Sequence, residues 1–147
     1  MSKTKFGLSA LLMASLVTLA PSSSFAQEDD RELMQNQLSE FQKEFEGYPK
    51  ELKKHFGSLA NAQTETFIVE LEAGKEYAFA GTCGNACADF DLVLTDDERF
   101  EVEVDAQPTD LPLIIFTSEK TGLYSLRSKM IRCYDDTCPF AVGVYSN

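Results

Sequence analysis

Asp89 and Asp91 flank Phe90 in a run that alternates polar and apolar residues, Asp89-Phe-Asp-Leu-Val-Leu94. Residues two apart on a strand share a face, so the two carboxylates lie together, opposite Phe90 and Leu92. Like charges held that close are relieved by a cation, and calcium suits a site built from carboxylates and carbonyls. Asp96, Asp97, Asp105 and Asp110 follow in turns or strand ends, so Asp89, Asp91 and Asp96 are the candidate calcium ligands. No other cofactor is expected. The twelve-residue calcium-loop pattern is missing, and acidic turns are commonly just solvated. Paired carboxylates also serve glycoside hydrolysis, but nothing marks a cleft and there is no Trp to stack on a sugar. His55 is the one histidine, beside Lys53 and Lys54, with no signal that places a serine and an aspartate around it. No catalytic residue is assigned, and the chain reads as a non-enzyme.

The remaining reactive side chains are four cysteines, Cys83 and Cys87 in one short segment and Cys133 and Cys138 in another. An even count in an exported chain reads as disulfides. A four-sulfur zinc site is the alternative, and the absence of two-residue spacing counts against it. Four cysteines allow three pairings. Because each pair flanks one loop, Cys83 with Cys87 and Cys133 with Cys138 are favoured, and the bridges are expected to fix the shape of two loops.

Export itself is read from the first 26 residues. Lys3 and Lys5 precede an apolar run from Leu8 to Ala20, and Ser24 and Ala26 supply the small residues of a cleavage site. This is the pattern of a secretory signal peptide, cleaved after Ala26 and too short in its apolar run to span a bilayer. The expected compartment is the periplasm or the exterior, with no membrane span. Losing two cations and no acids takes the formal charge from −11 to −13. Such a chain repels phosphate, so nucleic acid is not an expected partner.

The elements that must hold these residues divide at about Asn61. Residues 27–61 read as a helical arm: Leu33, Met34, Leu38, Phe41 and Phe45 recur at three- and four-residue intervals between charged residues, an amphipathic stripe. Asp29 or Asp30 caps its start, Gly47-Tyr-Pro49 stops or breaks it, and a further short turn carries Leu52 and Phe56. The stripe packs on the following domain, or else Leu33, Leu38, Phe41 and Phe45 seat a partner or a second copy.

Residues 62–147 alternate with a period of two. Phe67, Val69 and Leu71 lead through Glu72-Ala-Gly-Lys75 to Tyr77 and Phe79, which reads as a hairpin. Phe90, Leu92 and Leu94 make the next strand. Phe100, Val102 and Val104 are expected on one face, with Glu101, Glu103 and Asp105 on the other. Leu113 to Phe116, then Tyr124, Leu126 and Met130, then Phe140, Val142 and Val144 complete about seven strands. This spacing predicts a single all-β sandwich of two antiparallel sheets preceded by the helix.

From about Thr66 to Val144 the chain resembles the bacterial pre-peptidase C-terminal domain and its stand-alone exported relatives. The likeness rests on Phe67-Ile-Val-Glu-Leu71, Ala73-Gly-Lys75 before Tyr77, Asp89-Phe-Asp-Leu-Val-Leu94 with its acidic turn, Thr121-Gly-Leu-Tyr124 before Leu126, and the cysteine pairs. It implies a jelly-roll-like sandwich and a non-catalytic accessory or binding module, and some relatives bind calcium. It departs from the usual setting in that no peptidase is attached. The expected function is thus contact with an exported protein or envelope polymer through loops at one end of the sandwich. The alternative is a structural or assembly role, in which the helix pairs two copies or docks on a larger complex.

Overall fold

A computed structural model describes residues 23–147, so the expected signal peptide falls, for nearly all its length, outside the described residues. One helix, α1 (Ser23–Glu44), is followed by eight strands: β1 (Lys50–Leu59), β2 (Thr64–Leu71), β3 (Glu76–Cys83), β4 (Cys87–Thr95), β5 (Glu101–Asp105), β6 (Leu113–Thr117), β7 (Gly122–Cys133) and β8 (Cys138–Ser146). They form two antiparallel four-stranded sheets, ordered β1-β8-β3-β6 and β2-β7-β4-β5. The sandwich expected from the alternation is therefore present, with eight strands rather than seven.

The additional strand is β1, and it corrects the helical arm. Helix α1 ends at Glu44, and Lys50–Leu59 pairs along β8, from Lys50 opposite Ser146 to Leu59 opposite Cys138. Leu52 and Phe56 are four apart, a spacing that puts two residues on one face of a helix and of a strand alike. The open edge of β8 decides between them, since its backbone groups need partners. A register shift between Glu51 and Lys53 leaves Leu52 exposed, while Phe56 turns outward and His55 inward. Lys50, Lys53 and Lys54 suit an edge strand, where charge discourages pairing with another chain.

The chain crosses from one sheet to the other at every connection except β4–β5. This overturns the hairpin expected around Gly74. β2 pairs with β7 and β3 with β8 and β6, so the turn is an arch between sheets. Gly74 has φ +77°, a conformation that favours glycine, and the Tyr77 hydroxyl accepts the Glu72 N–H at 2.8 Å. A tight turn flanked by alternating strands looks the same whether the strands pair edge to edge or stack face to face.

Between the sheets lie Phe79, Phe90, Leu92, Leu94, Leu126, Met130, Phe140 and Val142, all without solvent exposure. The expected alternation of β5 fails. Val102 packs on this core, but Phe100 is 66% exposed and Val104 faces solvent opposite Val93. Phe100 lies in the turn ahead of β5, and for Val104 the cause is a β-bulge: the register slips between Leu94 and Thr95, and one extra residue turns the following side chains to the other face.

The outer face of the β1-β8-β3-β6 sheet carries small residues on its two central strands, Ala78 and Ala80 of β3 and Ala141 of β8, and α1 lies on them. Met34 and Leu38 are buried there with Tyr48 and Tyr145, and Phe41 stacks on Phe45 at 4.5 Å. Asp30 Oδ1 accepts from the backbone and side-chain N–H groups of Asn85, both at 2.9 Å. At the other end the Tyr48 hydroxyl donates to Glu76 Oε1 at 2.6 Å. Burial and the Glu76 carboxylate push the Tyr48 pKa up to about 12, so the phenol keeps its proton and that bond at neutral pH.

Candidate functional site

Each cysteine ends or begins a strand, and the bridges are Cys83–Cys87 and Cys133–Cys138, the favoured local pairing. Cys83 closes β3 and Cys87 opens β4, in opposite sheets, and Cys133 and Cys138 stand likewise on β7 and β8. Each bridge is therefore a staple between sheets as well as a clamp on a loop. The two loops meet at one end of the sandwich: Cys87 is opposite Cys133, the Tyr134 N–H donates to Ala86 O at 2.9 Å, and the Gly84 N–H to Pro139 O at 2.9 Å. Asn61, in the β1–β2 connection, braces the same point from below. Its Nδ2 donates to Cys133 O at 2.8 Å and its Oδ1 accepts the Cys133 N–H at 2.6 Å.

On this braced base stands Tyr134, 73% exposed, followed by exposed Asp135, Asp136 and Thr137. These residues with Asn61 border a shallow polar depression of about 540 Å³. Asp110 lies at the same end, its carbonyl 3.8 Å from the Cys83 sulfur. The arrangement is a rigid acidic loop with a protruding aromatic ring. It suits contact with a cationic surface: an aromatic side chain buries much area with few rotatable bonds, and fixed carboxylates attract and orient the approach. Sequence reasoning pointed to the loop but missed Tyr134. The available signal was a large aromatic between two closely spaced, bridged cysteines, where no core is within reach.

The calcium candidates separate. Asp89 and Asp91 do share one face of β4, the outer face of its sheet, and each is only 8% exposed. Asp89 Oδ1 has no hydrogen-bond partner. Burial, then the charges of Asp89 and Asp105, raise the pKa of Asp91, against the opposing pull of Lys129. Asp96 is committed elsewhere. Its Oδ1 accepts from the N–H groups of Glu98 and Phe100 at 3.0 and 2.9 Å, closing the β4–β5 turn, and Lys120 lies 3.8 Å from its other oxygen. Among the described residues no group of three or more His, Cys, Asp or Glu side chains is placed to hold a metal ion.

His55 is a clasp between the two sheets on the β1–β2 side. Its Nε2 lies 2.7 Å from Glu65 Oε1, and its ring is 5.2 Å from Phe67 and 5.9 Å from Phe140. Of the partner stripe, Leu38 is buried against the chain's own sheet, whereas Leu33, Phe41 and Phe45 are half-buried and line a groove beside α1. Among the described residues no helix is long and apolar enough to cross a membrane.

No protein-family profile matches the chain, and no curated protein matches it significantly. Solved structures similar to it include the pre-peptidase C-terminal domain of collagenase from Bacillus anthracis, at 17% identity and a TM-score of 0.49 over 63% of this chain and 87% of that one. Another is PliG of Aeromonas hydrophila, a periplasmic inhibitor of g-type lysozyme, at 10% identity and a TM-score of 0.47 over 65% of this chain and 85% of that one. The first is a domain of the kind that the sequence resembles.

Proposed function

We propose that the protein is an exported, non-catalytic binding module that contacts a cationic protein through its disulfide-braced end. The observation that carries this reading is Tyr134, an aromatic side chain 73% exposed on a loop closed by Cys133–Cys138 and held by Asn61 and Ala86. Loops ordinarily move. A loop stapled and braced from three sides has little entropy left to lose on binding, and that preorganisation favours affinity. Asp135, Asp136 and a strongly negative chain select for a basic partner.

The test is a pull-down from the native envelope with the wild-type protein, Tyr134→Ala and the double variant Asp135→Asn/Asp136→Asn. Loss of Tyr134 is expected to weaken capture by about tenfold or more, as for an aromatic anchor. The double variant is expected to slow association and to reduce its dependence on salt. Capture of the same partner with equal affinity by all three proteins would remove this end of the sandwich as the contact surface.

A further inference from the structure

A four-stranded sheet spreads roughly 14 Å between its outer strands, whereas a helix with its side chains is only about 10 Å wide. Helix α1 lies on the central strands β8 and β3 and leaves a shoulder on each side, and the two shoulders differ. Over β1, Arg31 from the helix stands over Phe56, its guanidinium carbon 4.3 Å from the ring centroid, in an open depression of about 540 Å³ that Glu28, Gly57 and Ser58 also line. Over β6 the polar contact between helix and sheet is Thr82 donating to Gln37, and no cation stands over an aromatic ring there among the described residues. A groove of about 380 Å³ remains there, walled by Leu33, Phe41 and Phe45 of α1 and by Leu111, Pro112 and Leu113 leading into β6. Leu111 is itself exposed.

The rim of this groove is acidic. Glu40 and Glu44 both border it, one helical turn apart, where like charges destabilise a helix. Lys43 engages Glu40 at 2.8 Å, and no cation is paired with Glu44 among the described residues. A second copy of the chain is a poor occupant, because between Glu28 and Glu44 its helix carries six acids and two bases and would set carboxylates against carboxylates.

We propose that this groove seats a basic amphipathic helix of a partner protein, laid beside α1 over β3 and β6. Its apolar stripe fills the space between Phe41 and Leu113, and its lysines or arginines meet Glu40 and Glu44. This is the helix-in-groove mode of recognition, with charge fixing which helix is accepted. The groove adjoins the disulfide-braced end through Thr82 and Leu111 but does not include Tyr134, and neither reading depends on the other.

An 18-residue peptide with leucine on one face and lysine on the other is the probe, titrated into the protein by calorimetry. The expected result is a single site that weakens by about tenfold in Glu40→Lys/Glu44→Lys and similarly in Leu111→Asp. Glu101→Lys/Glu103→Lys, an equal change of charge on β5, should alter affinity by less than about threefold. If circular dichroism shows that Glu40→Lys/Glu44→Lys has lost structure, Glu40→Gln/Glu44→Gln carries the same comparison. Equal weakening by the β5 pair would mean adhesion to overall charge and would overturn the proposal. So would a concentration-dependent dimer in light scattering that Leu111→Asp dissolves, since the groove would then belong to a second copy.

Discussion

The two outer faces of the sandwich are treated in opposite ways. On the β1-β8-β3-β6 sheet, Ala78, Ala80 and Ala141 let α1 approach closely, and Met34 and Leu38 are buried under it. On the β2-β7-β4-β5 sheet, the outward residues of the central strands include the half-buried Arg127 and Lys129, and among the described residues no helix covers them. Small apolar side chains on a sheet make a seat, because a helix that sits on them displaces water from a continuous surface. Charged side chains retain their water and make no seat. Helix α1 is therefore a third layer of this domain and not a free arm.

The largest expected effect breaks the covered face. Leu38→Ala removes a fully buried side chain and should destabilise the protein by about 2–5 kcal/mol, whereas Ile68→Ala on the open face, at a position 51% exposed, should change stability by no more than about 0.5 kcal/mol. Urea unfolding of the two variants measures the contrast, and equal losses would mean that α1 is not an integral layer. Next comes the joint between the two sheets. Cys83→Ser/Cys87→Ser and Cys133→Ser/Cys138→Ser should each cost less than the roughly 3 kcal/mol of a 15-residue loop, because the loops are short. Yet amide exchange should rise on strands of both sheets, since each bridge joins the two. Exchange confined to the loop residues would reduce the bridges to loop clamps.

The smallest effect has the opposite sign and sharpens the open face. Asp91 has a pKa raised by burial and by Asp89, so the folded state prefers it protonated. Its contribution to stability is fully present below the unfolded value of 3.8 and is lost as pH rises through the folded value. Asp91→Asn should therefore melt at a higher temperature than the wild type at pH 7, and the gain should vanish below pH 3.8. A variant that melts lower at pH 7 would show that the carboxylate has a stabilising partner there.

Much of this architecture was legible in the residue order. The alternation of Phe67, Val69 and Leu71, of Tyr124, Leu126 and Met130, and of Phe140, Val142 and Val144 specifies strands with one dry face, and all but the half-buried Phe67 are buried. The helix was legible too, and so was its seat in hindsight: Tyr77-Ala-Phe-Ala and Phe140-Ala-Val-Gly alternate large with small, the small set being what a helix can approach. Three things were not legible. Leu52 and Phe56 fit helix and strand equally. The turn at Gly74 does not say whether its strands pair or stack. Phe100 falls in the turn ahead of β5, and Val104 loses its alternation to a bulge that only the pairing with β4 produces.

For the candidate site, the residue order alone set the chemistry on offer: an acidic chain, four cysteines in two short-spaced pairs, one histidine and no Trp. Those follow from residue types and need no coordinates. It took the folded chain to bring the two cysteine loops together, to set Asn61, more than seventy positions earlier, against Cys133, and to engage the Asp96 carboxylate with the N–H groups of Glu98 and Phe100. The physical reason is that side-chain character and local period are properties of neighbours in the chain. Which surfaces meet depends on contacts between distant segments, and these exist only once the two sheets have closed on their common core.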